Sequence, residues 1–142
     1  MAEPQEYQNP SEDRIKEILQ NHKNVAVVGL SSDSTRPSYG VARYLQGKGF
    51  RIIPVNPNET EVLGEKAYPD LTSVPDEVEI VDIFRRPEHV PDVVDQAIKI
   101  KAQVLWMQQG VINYPAALKA SQNGITVVMD RCMAKECRKH CS

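Results

Sequence analysis

Five short apolar runs alternate along this chain with stretches of helical periodicity, and that alternation narrows the possible folds more than any other feature. The runs are Val25 to Val28, Phe50 to Val55, Glu79 to Phe84, Val104 to Met107 and Thr126 to Met129. Runs this short and this rich in Val and Ile suit parallel strands covered on both faces. Helical patterns separate them, over 39–48, 88–101 and 115–123. In the second of these Val90, Val93, Val94, Ala97 and Ile98 form the buried stripe. A further helix, capped by Ser11, precedes the first strand and carries Ile15, Ile18 and Leu19 on one face. Strands alternating with helices through right-handed crossovers predict an α/β fold with a doubly wound five-stranded parallel sheet. Numbering the runs in chain order, the expected strand order is 3-2-1-4-5, with a crevice at the carboxyl edge beside strand 1. Pro54 is awkward in that arrangement, because proline removes a ladder donor and belongs at a strand end or an exposed position.

The turn after the first strand is where such a sheet holds a phosphate-bearing ligand. Gly29 ends the strand, and Leu30, Ser31, Ser32, Asp33, Ser34, Thr35, Arg36 and Pro37 follow. Ser38 is placed to cap the next helix, which would turn its positive end toward the loop. Hydroxyls can donate to phosphate oxygens, and Arg36 offers a planar fork matched to them. An ordinary capped turn with a surface arginine would read the same way. A nicotinamide-binding turn would show G-x-G-x-x-G and a carboxylate at the end of strand 2. Here Gly29 stands alone, and Asn56-Pro57 occupies the carboxylate position, with Glu59 close by. A phosphorylated adenosine would tolerate Asn56 better than a carboxylate.

At 142 residues the chain has room for one domain and not for two substantial ones. That domain is expected over 11–142, behind a loosely ordered segment 1–10. With 17 basic and 19 acidic residues the net charge is -2, which argues against nucleic acid while leaving a local phosphate pocket possible. No run reaches membrane-spanning length, and the polar, acidic start is unlike a signal peptide, so a cytoplasmic protein is expected. The three cysteines, Cys132, Cys137 and Cys141, crowd one end and do not look like a secreted disulfide framework.

Few residues suggest chemistry. His89 opens a helix on the ligand edge but reads first as solvent-facing, and His22 and His140 lie in a turn and a tail. The spacing from Cys132 to Cys141 matches no standard zinc arrangement, so no metal is expected. Trp106 reads as core. Asp82, in an apolar strand, reads as a carboxylate paired near the strand end. Arg85 and Arg86 stand beside the crevice, divided between a solvated turn and a phosphate contact.

Taken together, VVGLSSDSTRPSYGVARYL, IIPVNP, LGEKAY, IVDIFRRPE, VLWMQQGVIN and VVMDRC resemble the small stand-alone CoA-binding domain proteins. These are similar to the amino-terminal CoA-binding domain of the succinyl-CoA synthetase α subunit. The resemblance runs from Asn24 to Glu136 and implies a Rossmann-like fold with coenzyme A across the carboxyl edge. By position it implies phosphate contacts from Gly29, Ser31, Ser32, Arg36 and Ser38. Asn56 and Pro57 would lie near the adenosine, Phe84 and Arg85 beside it, and Gln108 and Gly110 nearer the pantetheine. No counterpart of the synthetase's phosphohistidine domain or of its ligase portion is present, so a non-catalytic carrier, sensor or accessory module is expected. A nicotinamide-dependent oxidoreductase and a docking subunit of a separate CoA-using enzyme are the alternatives. Cys132, on the ligand edge beside Arg131, is a candidate for thiol exchange with the cofactor.

Overall fold

The computed structural model describes residues 7–141. Helix α1 (Glu12–Asn21) leads into strand β1 (Asn24–Val28), helix α2 (Pro37–Gly47) and strand β2 (Arg51–Val55). A small antiparallel pair, β3 (Glu61–Val62) and β4 (Glu65–Lys66), and a 3-10 turn at Leu71–Ser73 precede β5 (Ile80–Ile83). Then come α3 (Val90–Lys99), β6 (Val104–Met107), α4 (Tyr114–Gln122), β7 (Thr126–Val128) and α5 (Met133–His140). Five strands, β2-β1-β5-β6-β7, form one parallel sheet.

The fold class is as expected, and the strand order is not. Counting the five sheet strands along the chain, the order is 2-1-3-4-5 rather than 3-2-1-4-5. Pro54 supplies the physical reason. In the expected order β2 would be flanked on both sides, and a proline there would leave a neighbour's carbonyl without a donor. The observed β2 is the edge strand. The Pro54 carbonyl points outward and accepts from Tyr68 N–H at 3.0 Å, while Asn56 N–H donates to Tyr68 C=O at 2.8 Å. Chain direction along the sheet therefore reverses between β1 and β5, and the crevice lies between their carboxyl ends.

Strand alternation divides the core into two layers. Val25, Val27, Ile80 and Trp106 pack under α1, α2 and α5, against Ile15, Ile18, Leu45, Met133 and Cys137. Ala26, Val28, Val81 and Ile83 face α3 and α4. Ser11 caps α1 as expected, its Oγ accepting from Arg14 N–H at 3.2 Å. The segment between β2 and β5, expected to be a covering loop with a helical turn, also contains the β3–β4 hairpin.

Within the expected loose segment 1–10, residues 7–10 are held against the free edge of β7, and the earlier positions lie outside the described residues. Tyr7 Oη donates to Val127 C=O at 2.7 Å and accepts from Val127 N–H at 3.3 Å. Asn9 does the same for Met129, its Nδ2 donating to the carbonyl at 2.8 Å and its Oδ1 accepting from the amide at 2.7 Å. Two side chains thus satisfy an edge that would otherwise offer unpaired backbone groups.

Candidate functional site

A cleft of about 950 Å³ opens at the carboxyl ends of the strands, where the chain changes direction between β1 and β5. All of the sequence-predicted residues except Ser32 and Pro57 line it. Ser32 is exposed at its mouth. Pro57 belongs instead to a smaller neighbouring hollow that shares Arg85 with the main cleft. The loop after β6, expected at this edge, also contributes Gln109 and Val111, whereas sequence reasoning missed Val41, Asn58 and Pro87 as lining residues. Val41 was recoverable, since it lies one helical turn beyond Ser38 on α2.

Gly29 sets the shape of the opening. Its φ is +89°, and its amide donates to Val55 C=O at 2.8 Å. A side chain there would collide with the Phe84 carbonyl, so only glycine lets the ends of β1 and β5 come together.

Ser38 is not the helix cap. Pro37 takes the first helical position and Arg36 the cap position, without a side-chain capping bond; proline at N1 is pre-organised for a helix start and displaces the cap two residues earlier than a serine-based reading suggests. The buried Ser38 hydroxyl instead accepts from Ser31 N–H at 3.1 Å, tying the loop to the helix. Asn56 braces the same loop from the other side, donating to Leu30 C=O at 3.0 Å and accepting from Asn58 N–H at 2.9 Å. Arg36 stands free enough to turn toward a ligand, with 70% of its side chain exposed and only a 4.0 Å approach to Asp33. Glu59 places a carboxylate oxygen 2.8 Å from Ser32 N–H, so an anionic group already sits on a loop amide at the mouth.

Arg85 and Arg86 line the opposite wall, and neither has an ion-pair partner among the described residues. Farther along, Gly110 (φ +88°) donates to Asp130 Oδ1 at 2.8 Å. Gln108 is 6% exposed, and its Oε1 accepts from Met133 N–H at 3.2 Å, at the start of α5. Its Nε2 has no acceptor among the described residues. Cys132, half-buried, is the N-cap residue of α5 and the free thiol beside Gln108 in this wall. Arg131, expected to act on Cys132, is committed elsewhere: its guanidinium lies 3.2 Å from Glu12 and 3.7 Å from Glu136.

No complete catalytic constellation surrounds the cleft among the described residues. His89 is exposed, and Trp106 is core, its Nε1 donating to Arg131 C=O at 2.9 Å. Asp82 was expected to be paired, yet both its oxygens are buried without a partner among the described residues. Its desolvation holds the carboxyl well above the usual carboxylate range. On the α1–α5 side, Glu12, Glu136 and His140 converge with ligand atoms within 4.8 Å of one another. Lys139, 3.2 Å from Glu136, and Arg131 already neutralise these carboxylates, and their charge opposes a metal ion there. Hydrogen bonding to His140, with help from Arg131 and Lys139, keeps Glu12 below its ordinary range. Cys137 and Cys141 are disulfide-bonded to each other.

Residues 23–138 match the family described as CoA binding domain, and the chain belongs to that family. Its relatives include the uncharacterized protein YneT of Bacillus subtilis, 44% identical over 126 residues that span 89% of this chain and 93% of that one. The solved structure of a hypothetical protein from Pyrococcus horikoshii OT3 superposes with a TM-score of 0.92 at 37% identity, with full coverage of both chains. Acetate–CoA ligase II (ADP-forming) of Archaeoglobus fulgidus is 36% identical over 87 residues. That match takes in 58% of this chain but 13% of the ligase, so the likeness is to one module of a much larger enzyme. No helix among the described residues is long and apolar enough to cross a membrane.

Proposed function

We propose that this protein binds coenzyme A, free or acylated, across the cleft and performs no chemistry on it alone, acting as a carrier, sensor or accessory module. The observation that carries this is the pairing of two unlike ends in one cleft. At one end the start of α2, Arg36, Arg85 and Arg86 offer cationic and amide donors, the equipment for phosphates. From there the cleft runs along the sheet edge to Gln108, Gly110 and Cys132, a narrow polar wall suited to an amide-bearing arm. In this arrangement Gly29, Ser31, Ser32, Arg36 and Ser38 surround the pyrophosphate. Asn56, Pro57, Phe84 and Arg85 border the adenosine, and Gln108 and Gly110 border the pantetheine.

Thermal denaturation with coenzyme A, NAD and NADP tests the proposal, because a ligand stabilises the native state only by preferring it. At about 100 times its dissociation constant, coenzyme A should add roughly 2.7 kcal/mol, a rise of several degrees in Tm for a chain of this size. NAD and NADP should leave Tm near its unliganded value. Stabilisation by NADP and not by coenzyme A would turn the assignment toward the oxidoreductase alternative.

A further inference from the structure

We infer that Cys141 and Cys137 form a thiol–disulfide exchange centre for small anionic disulfides, at the end of α5 remote from the cleft. Cys141 is the sulfur that meets the reagent, and Cys137 resolves the adduct. The inference stands independently of the coenzyme A assignment, and three observations carry it. The two cysteines are bonded to each other, with their Cα atoms 4.8 Å apart. Their exposure is unequal: Cys137 is 0% exposed, in the same core layer as Leu45 and Met133, whereas Cys141 is half-buried. Cys141 also lines a hollow of about 400 Å³ that shares no residue with the cleft. His22, Lys23, Lys48 and His140 line that hollow too, and among the described residues no carboxylate does.

The spacing lets the bond open without loss of the fold. Residues four apart share one face of a helix, and Cys141, the C-cap residue of α5, donates its N–H to Cys137 C=O at 2.6 Å. The last turn therefore presents the two sulfurs to each other whether or not they are joined. A loop this short constrains the unfolded chain least, so the bond is a weak staple. Pairing a buried sulfur with an accessible one gives the exchange a direction, because a reagent reaches Cys141 first and Cys137 only through it. Basic side chains at the mouth favour the Cys141 thiolate and draw in a negatively charged reagent.

The oxidant is a small disulfide bearing carboxylates, of the glutathione disulfide class. With the pair reduced, the Cys141 thiol gives its proton to water and its sulfur attacks one sulfur of the reagent. A mixed disulfide forms, the reagent's own S–S bond breaks, and one thiolate leaves and takes up a proton. The Cys137 thiol then gives up its proton, its sulfur attacks that of Cys141, and the second thiolate departs and is protonated. Two protein thiols are oxidised to one disulfide while one reagent disulfide is reduced to two thiols. Excess thiol runs both steps backward.

The test is mass spectrometry of the full chain, reduced and then exposed to glutathione disulfide, with tryptic mapping. Lys135, Arg138 and Lys139 put the three cysteines on separate peptides. The wild type should close the Cys137–Cys141 bond and retain no glutathione on either residue. Cys137→Ser and Cys137→Ala should each trap glutathione on Cys141, and in Cys141→Ser the Cys137 peptide should react roughly 10-fold more slowly or less, as burial requires. Raising the salt should slow the reaction with glutathione disulfide and speed that with cystamine, a cationic disulfide. Stable glutathione on Cys141 in the wild type, no adduct on Cys141 in either Cys137 variant, or equal rates at the two sulfurs overturns the inference. Salt effects of the same sign for both reagents overturn the anion preference. The wild type alone supplies a further check: in graded glutathione buffers the bond should open and close reversibly while the circular dichroism stays that of the folded chain. A bond that reduced glutathione opens only in denaturant would be a structural staple, and the inference would fall.

Discussion

The carbonyl of Phe84 occupies the space that a side chain on Gly29 would need. The two residues end adjacent parallel strands, and Phe84 N–H donates to Val28 C=O at 2.8 Å, so neither backbone can retreat without breaking the ladder. Gly29→Ala should therefore lose about 2–4 kcal/mol, from a left-handed alanine plus overpacking against fixed backbone. Urea denaturation reads the loss. A change below about 0.5 kcal/mol would mean that the ends of β1 and β5 are not held together as described.

Asp82 gives a pH dependence whose sign follows from burial. It lies between Val27 and Trp106 in register, inside the layer under α1, α2 and α5, with its carboxyl neutral and its pKa raised. The folded chain thus keeps a proton that the unfolded chain releases above about pH 4. Stability contributed by this proton is complete below that point and is lost as pH rises toward the folded pKa, by up to about 1.4 kcal/mol per pH unit. Asp82→Asn removes the titration while preserving shape. Its stability relative to wild type should rise steadily from pH 4 upward in urea titrations, and a constant difference would contradict the buried, unpaired carboxyl.

Arg36 and Glu59 should act in opposite directions on the ligand. Arg36 is exposed and weakly paired, so Arg36→Ala should leave Tm within about 1 °C, as exposed pairs contribute little. Its loss should weaken coenzyme A binding by roughly 10-fold, the worth of one charge-assisted contact. Glu59 holds a carboxylate on Ser32 N–H at the cleft mouth, where a phosphate would compete with it. Glu59→Ala should tighten binding several-fold, more so at low salt. Isothermal titration of the two variants checks both, and the same direction of change in both would refute the proposed anion position.

Asn9 and Tyr7 close the free edge of β7. Asn9→Ala removes a donor and an acceptor from Met129 at once, at a cost of about 1–2 kcal/mol. Amide hydrogen exchange should show Met129 losing protection while the β1 amides keep theirs. Unchanged exchange at Met129 would mean that the edge is protected in some other way.

The five apolar runs and their helices were legible because each strand is a short β-branched block bounded by glycine, asparagine or a polar turn. Most of the cleft followed from them, since the loops after parallel strands share one edge. Strand order was not legible from alternation alone. Pro54 held the clue, because a residue without an N–H identifies the edge strand once its carbonyl is known to face outward to Tyr68. Ser38 was misread as a cap because hydroxyl residues are favoured there, whereas Pro37 at the first helical position moved the cap to Arg36. Tertiary partners far apart in sequence were invisible: Arg131 with Glu12, Asn9 with Met129, and the solitary burial of Asp82 all depend on packing that no local pattern encodes.

Isothermal titration of the purified protein with coenzyme A is the most direct test of the central claim. One saturable site per chain is predicted, with affinity that falls as salt rises, is weakened in Arg36→Ala and is not reproduced by NAD. Absence of saturable heat with coenzyme A, alongside saturable binding of a nicotinamide cofactor, would contradict the account.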